Sequence, residues 1–257
     1  MYGSIKFEQK NGIAWLTLNR PEKYNAFTEQ MNEEITDALK ITANDENIRC
    51  LVITGEGKAF SSGEDLSGIV EVTNHGEILR NRYNPMILAL ARLEKPVIAA
   101  VNGVAAGAGF SLALACDFRL SSEKASFIES FIHVGLVPDS GQFHFLPKIV
   151  GAAKALELAI LGEKISAKEA KELGLVTKVI ETENWSQEIE AFAGKLASMP
   201  TKAIGLIKRT LRESMSLNLE EILEKEAFAQ RIAGLTKDHH EGVSAFLEKR
   251  DAVFQGK

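Results

Sequence analysis

From Val97 to Cys116 the chain carries no charged side chain, and a run of that length could cross a bilayer as one helix. It even contains Gly103-Val-Ala-Ala-Gly107, the spacing with which membrane helices pack closely. Asn102-Gly103, however, is a strong turn signal, and Val97-Ile-Ala-Ala-Val101 before it is rich in strand formers. A buried strand, a turn and a buried helix opening at Gly107 satisfy both signals. Such a unit needs apolar cover on all sides. A chain of 257 residues, 45% hydrophobic and 25% charged, has enough apolar surface to supply it.

Around this unit the chain alternates strand and helix patterns. Ile13-Ala-Trp-Leu-Thr-Leu18 has strand composition and ends at Asn19-Arg20-Pro21. A helix follows from Thr28, an apt N-cap, with Met31, Ile35, Ala38, Leu39 and Thr42 on one face. Arg49 to Thr54 is a second buried strand, closed by Gly55-Glu56-Gly57. An irregular segment runs from Lys58 to about Gly76, then a helix with a kink expected near Pro85. Phe118–Leu120 and Ala125–Phe127 read as short strands; beyond Ser140 the pattern is helical except at Leu175–Ile180. The last helix, Lys237 to Arg250, carries Val243, Phe246 and Leu247 on one face, which implies packing against something, including another subunit. The expected architecture is an α/β core over 1–195 and a helical C-terminal region over 196–257.

The net charge of -5 leaves no basic stripe, which argues against nucleic acid. Met1 to Lys10 lacks the apolar core of a signal peptide, and Cys50 and Cys116 lie in apolar runs as buried reduced thiols. A cytoplasmic protein without a membrane anchor is expected. His75, His133, His144, His239 and His240 show no metal-ligand spacing, so no metal is expected.

Two turns have the composition to bind an anion. In Ala59-Phe-Ser-Ser-Gly-Glu-Asp-Leu66 small residues let a ligand approach the backbone, and Asp65 can cap a following turn. In Asn102-Gly-Val-Ala-Ala-Gly-Ala-Gly-Phe110 a turn feeds a helix whose first amides have no partner inside the helix. Two such amides converging on one point would make an oxyanion hole; tight packing alone would explain the same glycines. A dinucleotide site is disfavoured, because Gly107-Ala108-Gly109 lacks the third glycine.

These two blocks, with Leu112-Ala-Leu-Ala-Cys-Asp117, Asn19-Arg-Pro-Glu-Lys-Tyr-Asn-Ala26 and Glu241-Gly-Val-Ser-Ala-Phe-Leu-Glu-Lys-Arg250, resemble the crotonase (enoyl-CoA hydratase/isomerase) superfamily in order and spacing. The resemblance implies a spiral of ββα units with a C-terminal helical trimerisation region, assembled as a homotrimer or a dimer of trimers. It also implies an acyl-CoA thioester substrate, with no cofactor beyond the coenzyme A that the substrate carries. By the same resemblance the oxyanion amides belong to Glu64 and Ala108. Ser62, Asp65, Leu66, Phe246 and Lys249 fall at coenzyme A contacts, the last two in a tail that often serves a neighbouring subunit.

Hydratases of this superfamily orient water with two glutamates. Here those positions hold Ser111 and Phe131, neither of which is a base near neutral pH; both are assigned to the acyl pocket. Glu129 would share the face of Phe131 if the segment were extended, but is displaced along the chain. Asp139, in Val134-Gly-Leu-Val-Pro-Asp-Ser-Gly141, has apolar neighbours (Leu136, Val137, Phe143), which Phe110 and Phe131 would join in the superfamily's geometry. Locally it reads as a helix cap. The resemblance to isomerases, both the epoxyphenylacetyl-CoA and the Δ3,Δ2-enoyl-CoA types, makes it the acid/base instead. Asp117 reads as a strand cap or an arginine partner. Gln142-Phe143-His144, where relatives tend to carry Gly-Gly-Thr, bears on pocket shape; His133 and His144 flank Asp139.

The expected activity is thus isomerisation through a thioester enolate, with Asp139 as the single proton carrier. The alternatives are a hydratase with atypical water activation and a non-catalytic acyl-CoA-binding protein. A dehalogenase-like attack by Asp139 is disfavoured, since the helix before Lys95-Pro96 offers apolar Leu88 and Leu90 where a histidine base would stand.

Overall fold

The computed structural model describes residues 2–68 and 74–257; part of the irregular segment after Leu66 therefore lies outside the described residues. Among the described residues ten strands form two sheets. The larger takes β1 (Ile5–Lys10), β2 (Ile13–Leu18), β3 (Cys50–Gly55), β5 (Val97–Val101), β7 (Phe118–Ser122) and β10 (Lys178–Ile180), in that order. The smaller takes β4 (Ala59–Ser61), β6 (Val104–Ala106), β8 (Ser126–Ile128) and β9 (Lys164–Ser166). Each successive pair, β3 then β4, β5 then β6, β7 then β8, places one strand in each sheet, parallel to the pair before it. The chain thus winds as a spiral whose turns are closed by helices.

Helices fill the sides for ordinary reasons. In α1 (Glu29–Asn44) the Thr28 hydroxyl accepts from Met31 N at 3.2 Å, and the predicted apolar face is buried against the large sheet. Next come α2 (His75–Ile78) and α3 (Asn84–Arg92), joined by a wide π turn at Leu79–Tyr83. The kink expected at Pro85 is taken up by that turn, since proline suits the first turn of α3. The charge-free run becomes β5, β6 and α4 (Ala108–Ala115), all but enclosed. Strands buried on both faces are continuously apolar, which is why this run mimics a membrane span; among the described residues no helix is long and apolar enough to cross a bilayer.

Beyond α4 lie α5 (Gln142–Val150), α6 (Ala152–Leu161) and α7 (Ala167–Glu172). Then α8 (Trp185–Ser198) covers the outer face of the large sheet with Ile189, Ala193, Leu196 and Ala197. The division expected at 195 falls inside this helix, so the helical tail proper begins with α9 (Thr201–Ser214), α10 (Leu219–Gly234) and α11 (Lys237–Glu248). Cys50 and Cys116 are buried free thiols, and burial pushes both up to about 12. Asp117 accepts from Val97 N at 2.7 Å and pairs with Lys208 at 2.6 Å; its partner is a lysine, not the expected arginine.

Candidate active site

The two turns singled out in the sequence meet at one cavity of about 590 Å³, lined among others by Ser62, Gly63, Glu64, Leu66, Gly107, Ala108, Phe131 and Asp139. Phe27 N donates to Gly63 O at 2.7 Å and Asp65 N to Phe27 O at 2.9 Å, which leaves Glu64 N between them facing the cavity wall. Across from it, Gly107 N donates to Ile128 O at 3.0 Å and the next amide, Ala108 N, opens α4. Among the described residues neither Glu64 N nor Ala108 N has an acceptor. Their approach depends on Gly63, whose φ of +93° suits glycine; a methyl there would stand 3.1 Å from Ala106 O and 3.5 Å from Ala108 N. Two residues whose amides lack acceptors among the described residues, one of them at a helix N-terminus, thus line the same cavity; such amides, if they converge on one point, stabilise a developing oxyanion.

Asp139 is the carboxylate available on this wall. It sits in a turn that closes when Gln142 N donates to Asp139 O at 3.0 Å, with Ser140 and Gly141 both at positive φ. The residue capping α5 is Gly141 and no side chain caps it, so the capping alternative falls away; Asp139 is among the residues that line the cavity. Burial raises its pKa and the neighbouring Glu64 charge adds to this, while the Ser140 hydroxyl, donating at 2.8 Å, and His75 oppose it. His75 lines the same cavity; no feature of the sequence drew attention to it, because it lies in the irregular segment. The other carboxylate on the wall, Glu64, is tied by its side chain to Arg82 at 3.1 Å and to the Tyr83 hydroxyl. Tyr83, nearly inaccessible, is raised well above the ordinary phenol range by burial and by Glu64.

The remaining expected residues separate. Phe131 lines the cavity, as do Leu136, Val137 and His133. Phe110 is fully buried against Phe127, and Phe143 and His144 lie on the outside of α5; none of the three reaches the cavity. Ser111, expected in the acyl pocket, stands one layer behind its wall. Its hydroxyl lies 3.1 Å from Asp139 O and 3.3 Å from Gly107 O, and donates to Gln142 Oε1. Residues 130–134 form a 3-10 turn rather than an extended segment, so Glu129 does not share the face of Phe131 and turns inward to Gln142. Ser62 and Leu66 lie at the cavity; Asp65 has its carboxylate on Arg20 at 2.9 Å and on Ser67, contacts that hold it down to about 2. Phe246 and Lys249, on the exposed end of α11, are not among the lining residues of this chain's cavity.

The sequence profile of the enoyl-CoA hydratase/isomerase family matches residues 8–257. The chain is 42% identical over 253 residues to 1,2-epoxyphenylacetyl-CoA isomerase of Escherichia coli, covering 96% of this chain and 97% of that protein. It is 35% identical over 262 residues to crotonyl-CoA hydratase of Syntrophomonas wolfei, covering 100% and 99%. A crystal structure of enoyl-CoA hydratase from Bacillus anthracis superposes with a TM-score of 0.92 at 32% identity, covering 99% of this chain and 100% of that one.

Proposed function

Because the chain belongs to the enoyl-CoA hydratase/isomerase family, the crotonase fold, we propose that it isomerises an acyl-CoA thioester, with Asp139 as the single proton carrier. The observation that carries this reading is the cavity lined together by Asp139, Glu64 and Ala108, the last two with amides that have no acceptor among the described residues. The thioester carbonyl docks on those amides, which acidifies the α-carbon. The Asp139 carboxylate takes the α-proton of a 3-enoyl thioester, and the electron pair moves into the carbonyl as a dienolate. The same proton then returns at the γ-carbon, giving the 2-enoyl thioester. No water and no electrons are exchanged, so one carboxylate suffices. A base with a raised pKa both accepts and returns a proton readily.

The hydratase alternative asks for a second group to hold water. At the two positions concerned stand Ser111, behind the wall, and Phe131, whose ring lines the cavity. The name of the Escherichia coli relative supplies a second substrate class, a ring-epoxide phenylacetyl thioester. Ser62 and Leu66, which line the cavity, and Asp65 beside them would contact coenzyme A, and Phe246 and Lys249 would reach it from a neighbouring copy in a homotrimer or dimer of trimers.

Mass-resolved product analysis with a 3-enoyl-CoA and with the epoxide thioester tests the reading. A product of unchanged mass is expected. Asp139→Asn should lower kcat by roughly 10²- to 10⁴-fold, the range for losing an acid/base group. A product heavier by one water, formed equally by the variant, would restore the hydratase.

A further inference from the structure

Behind the cavity wall lies a polar chain that the proposed proton transfer does not use. Ser111, Gln142 and Glu129 are each at least 99% buried. Gln142 Nε2 donates to Glu129 Oε1, and the Ser111 hydroxyl donates to Gln142 Oε1. The chain ends on the Asp139 peptide, because Asp139 O accepts from Gln142 N at 3.0 Å and lies 3.1 Å from Ser111 Oγ. Gln142 therefore holds the Asp139 carbonyl through its own backbone N–H, while Ser111, whose one proton goes to Gln142 Oε1, packs against that carbonyl.

The other end of the chain is unusual. Glu129 Oε2 has no partner among the described residues, and Glu129 makes no ion pair. The charged group acting on it is Asp139, of like sign. Asp139 in turn faces Glu64, His75 and Tyr83. An ionised carboxylate so enclosed, with one oxygen bare, is far costlier than a neutral carboxyl.

We propose that Ser111, Gln142 and Glu129 form a positioning brace for Asp139 that holds only while Glu129 carries its proton. This rests on Asp139 being the working base. Burial, reinforced by the Asp139 charge, pushes Glu129 up to about 8, so the brace is intact at neutral pH. As pH rises further Glu129 ionises, and the water that its bare oxygen then requires must enter the enclosed space and open the packing that fixes Gln142.

Two measurements test this. The first follows the carboxyl carbons of ¹³C-labelled protein through a pH titration and needs no turnover. Glu129 should stay protonated through pH 7, and Glu129→Gln should remove its alkaline transition. The second is the kcat profile for the 3-enoyl thioester. Wild type should lose activity above about pH 8 with KM little changed, whereas Glu129→Gln, which keeps an acceptor for Gln142 but cannot ionise, should lack that limb. Gln142→Leu should lower kcat about tenfold, equivalent to roughly 1.4 kcal/mol, with KM retained. Glu129 titrating in the ordinary carboxylate range, or an alkaline limb that persists in Glu129→Gln, would overturn the proposal. Full activity in Asp139→Asn would instead overturn Asp139 as the proton carrier, on which the brace rests, and leave the titration result standing.

Discussion

At Asp139 burial and the Glu64 charge pull against the Ser140 hydroxyl and His75, and the net effect is upward. A base must be unprotonated to act, so activity should rise with pH through this raised pKa, and the acid limb of kcat/KM should lie above the ordinary carboxylate range. Ser140→Ala removes a hydrogen bond that favours the charged form, so the limb should move higher still; a limb that moves down in a pH–rate series would contradict the assignment. Glu129 bears on stability. Its pKa is raised from 4.5 to about 8 by burial, so the folded state holds a proton that the unfolded chain has released across that window. Stability therefore falls as pH climbs from about 4.5 to 8, in total by a few kcal/mol. Denaturant unfolding of Glu129→Gln at pH 5 and pH 8 should show that loss abolished. The local pattern at Asp139 reads as a helix cap, so its place on the cavity wall was legible only through the family resemblance. The partners of Glu129 were not legible, since Gln142 and Ser111 reach it only after three separate segments fold together.

Among the elements, α4 opens with Ala108 and β4 leads into Gly63 and Glu64, the two sides of the proposed oxyanion site. They can approach because Gly109 has no side chain: a methyl there would lie 2.6 Å from Ser61 O and 2.7 Å from Ser61 Cβ. Gly109→Ala should cost about 1–3 kcal/mol, as overpacking does, and it should lower kcat more than it raises KM by moving Ala108 N. Thermal denaturation beside steady-state kinetics separates the two effects. The strands β2, β3 and β5 and the helix α1 were readable from period and capping alone. Four strands, β1, β4, β6 and β9, were not. At three residues each, β4, β6 and β9 are too short for a period to show, and β6 exists because β4 and β8 flank it; β1 is a largely polar strand in which Ile5 alone is buried, defined by its pairing with β2. The 3-10 turn at 130–134 was missed because it too is short.

On the scale of the whole molecule, the tail stands out. Leu235, Phe246 and Leu247 on α10 and α11 and the turn between them are 76%, 82% and 73% exposed, more apolar surface than a helical tail of a lone chain ordinarily leaves uncovered. Light scattering after size exclusion should give a trimer or a multiple of one, and Phe246→Glu with Leu247→Glu should shift it to smaller species. A monomeric wild type at micromolar concentration would refute that assembly.

By itself, the sequence determined the spiral's main strands, the two glycine-bearing turns and the aspartate that lines one cavity with them, because local period, turn chemistry and motif order are one-dimensional properties. The tertiary structure alone decided that Ser111 stands behind the cavity wall with its hydroxyl on Gln142, that Glu64 is tied to Arg82 and Tyr83, and that Phe110 faces the core. Those outcomes depend on which side of a turn a side chain leaves and what meets it there, and segments far apart in the chain set both.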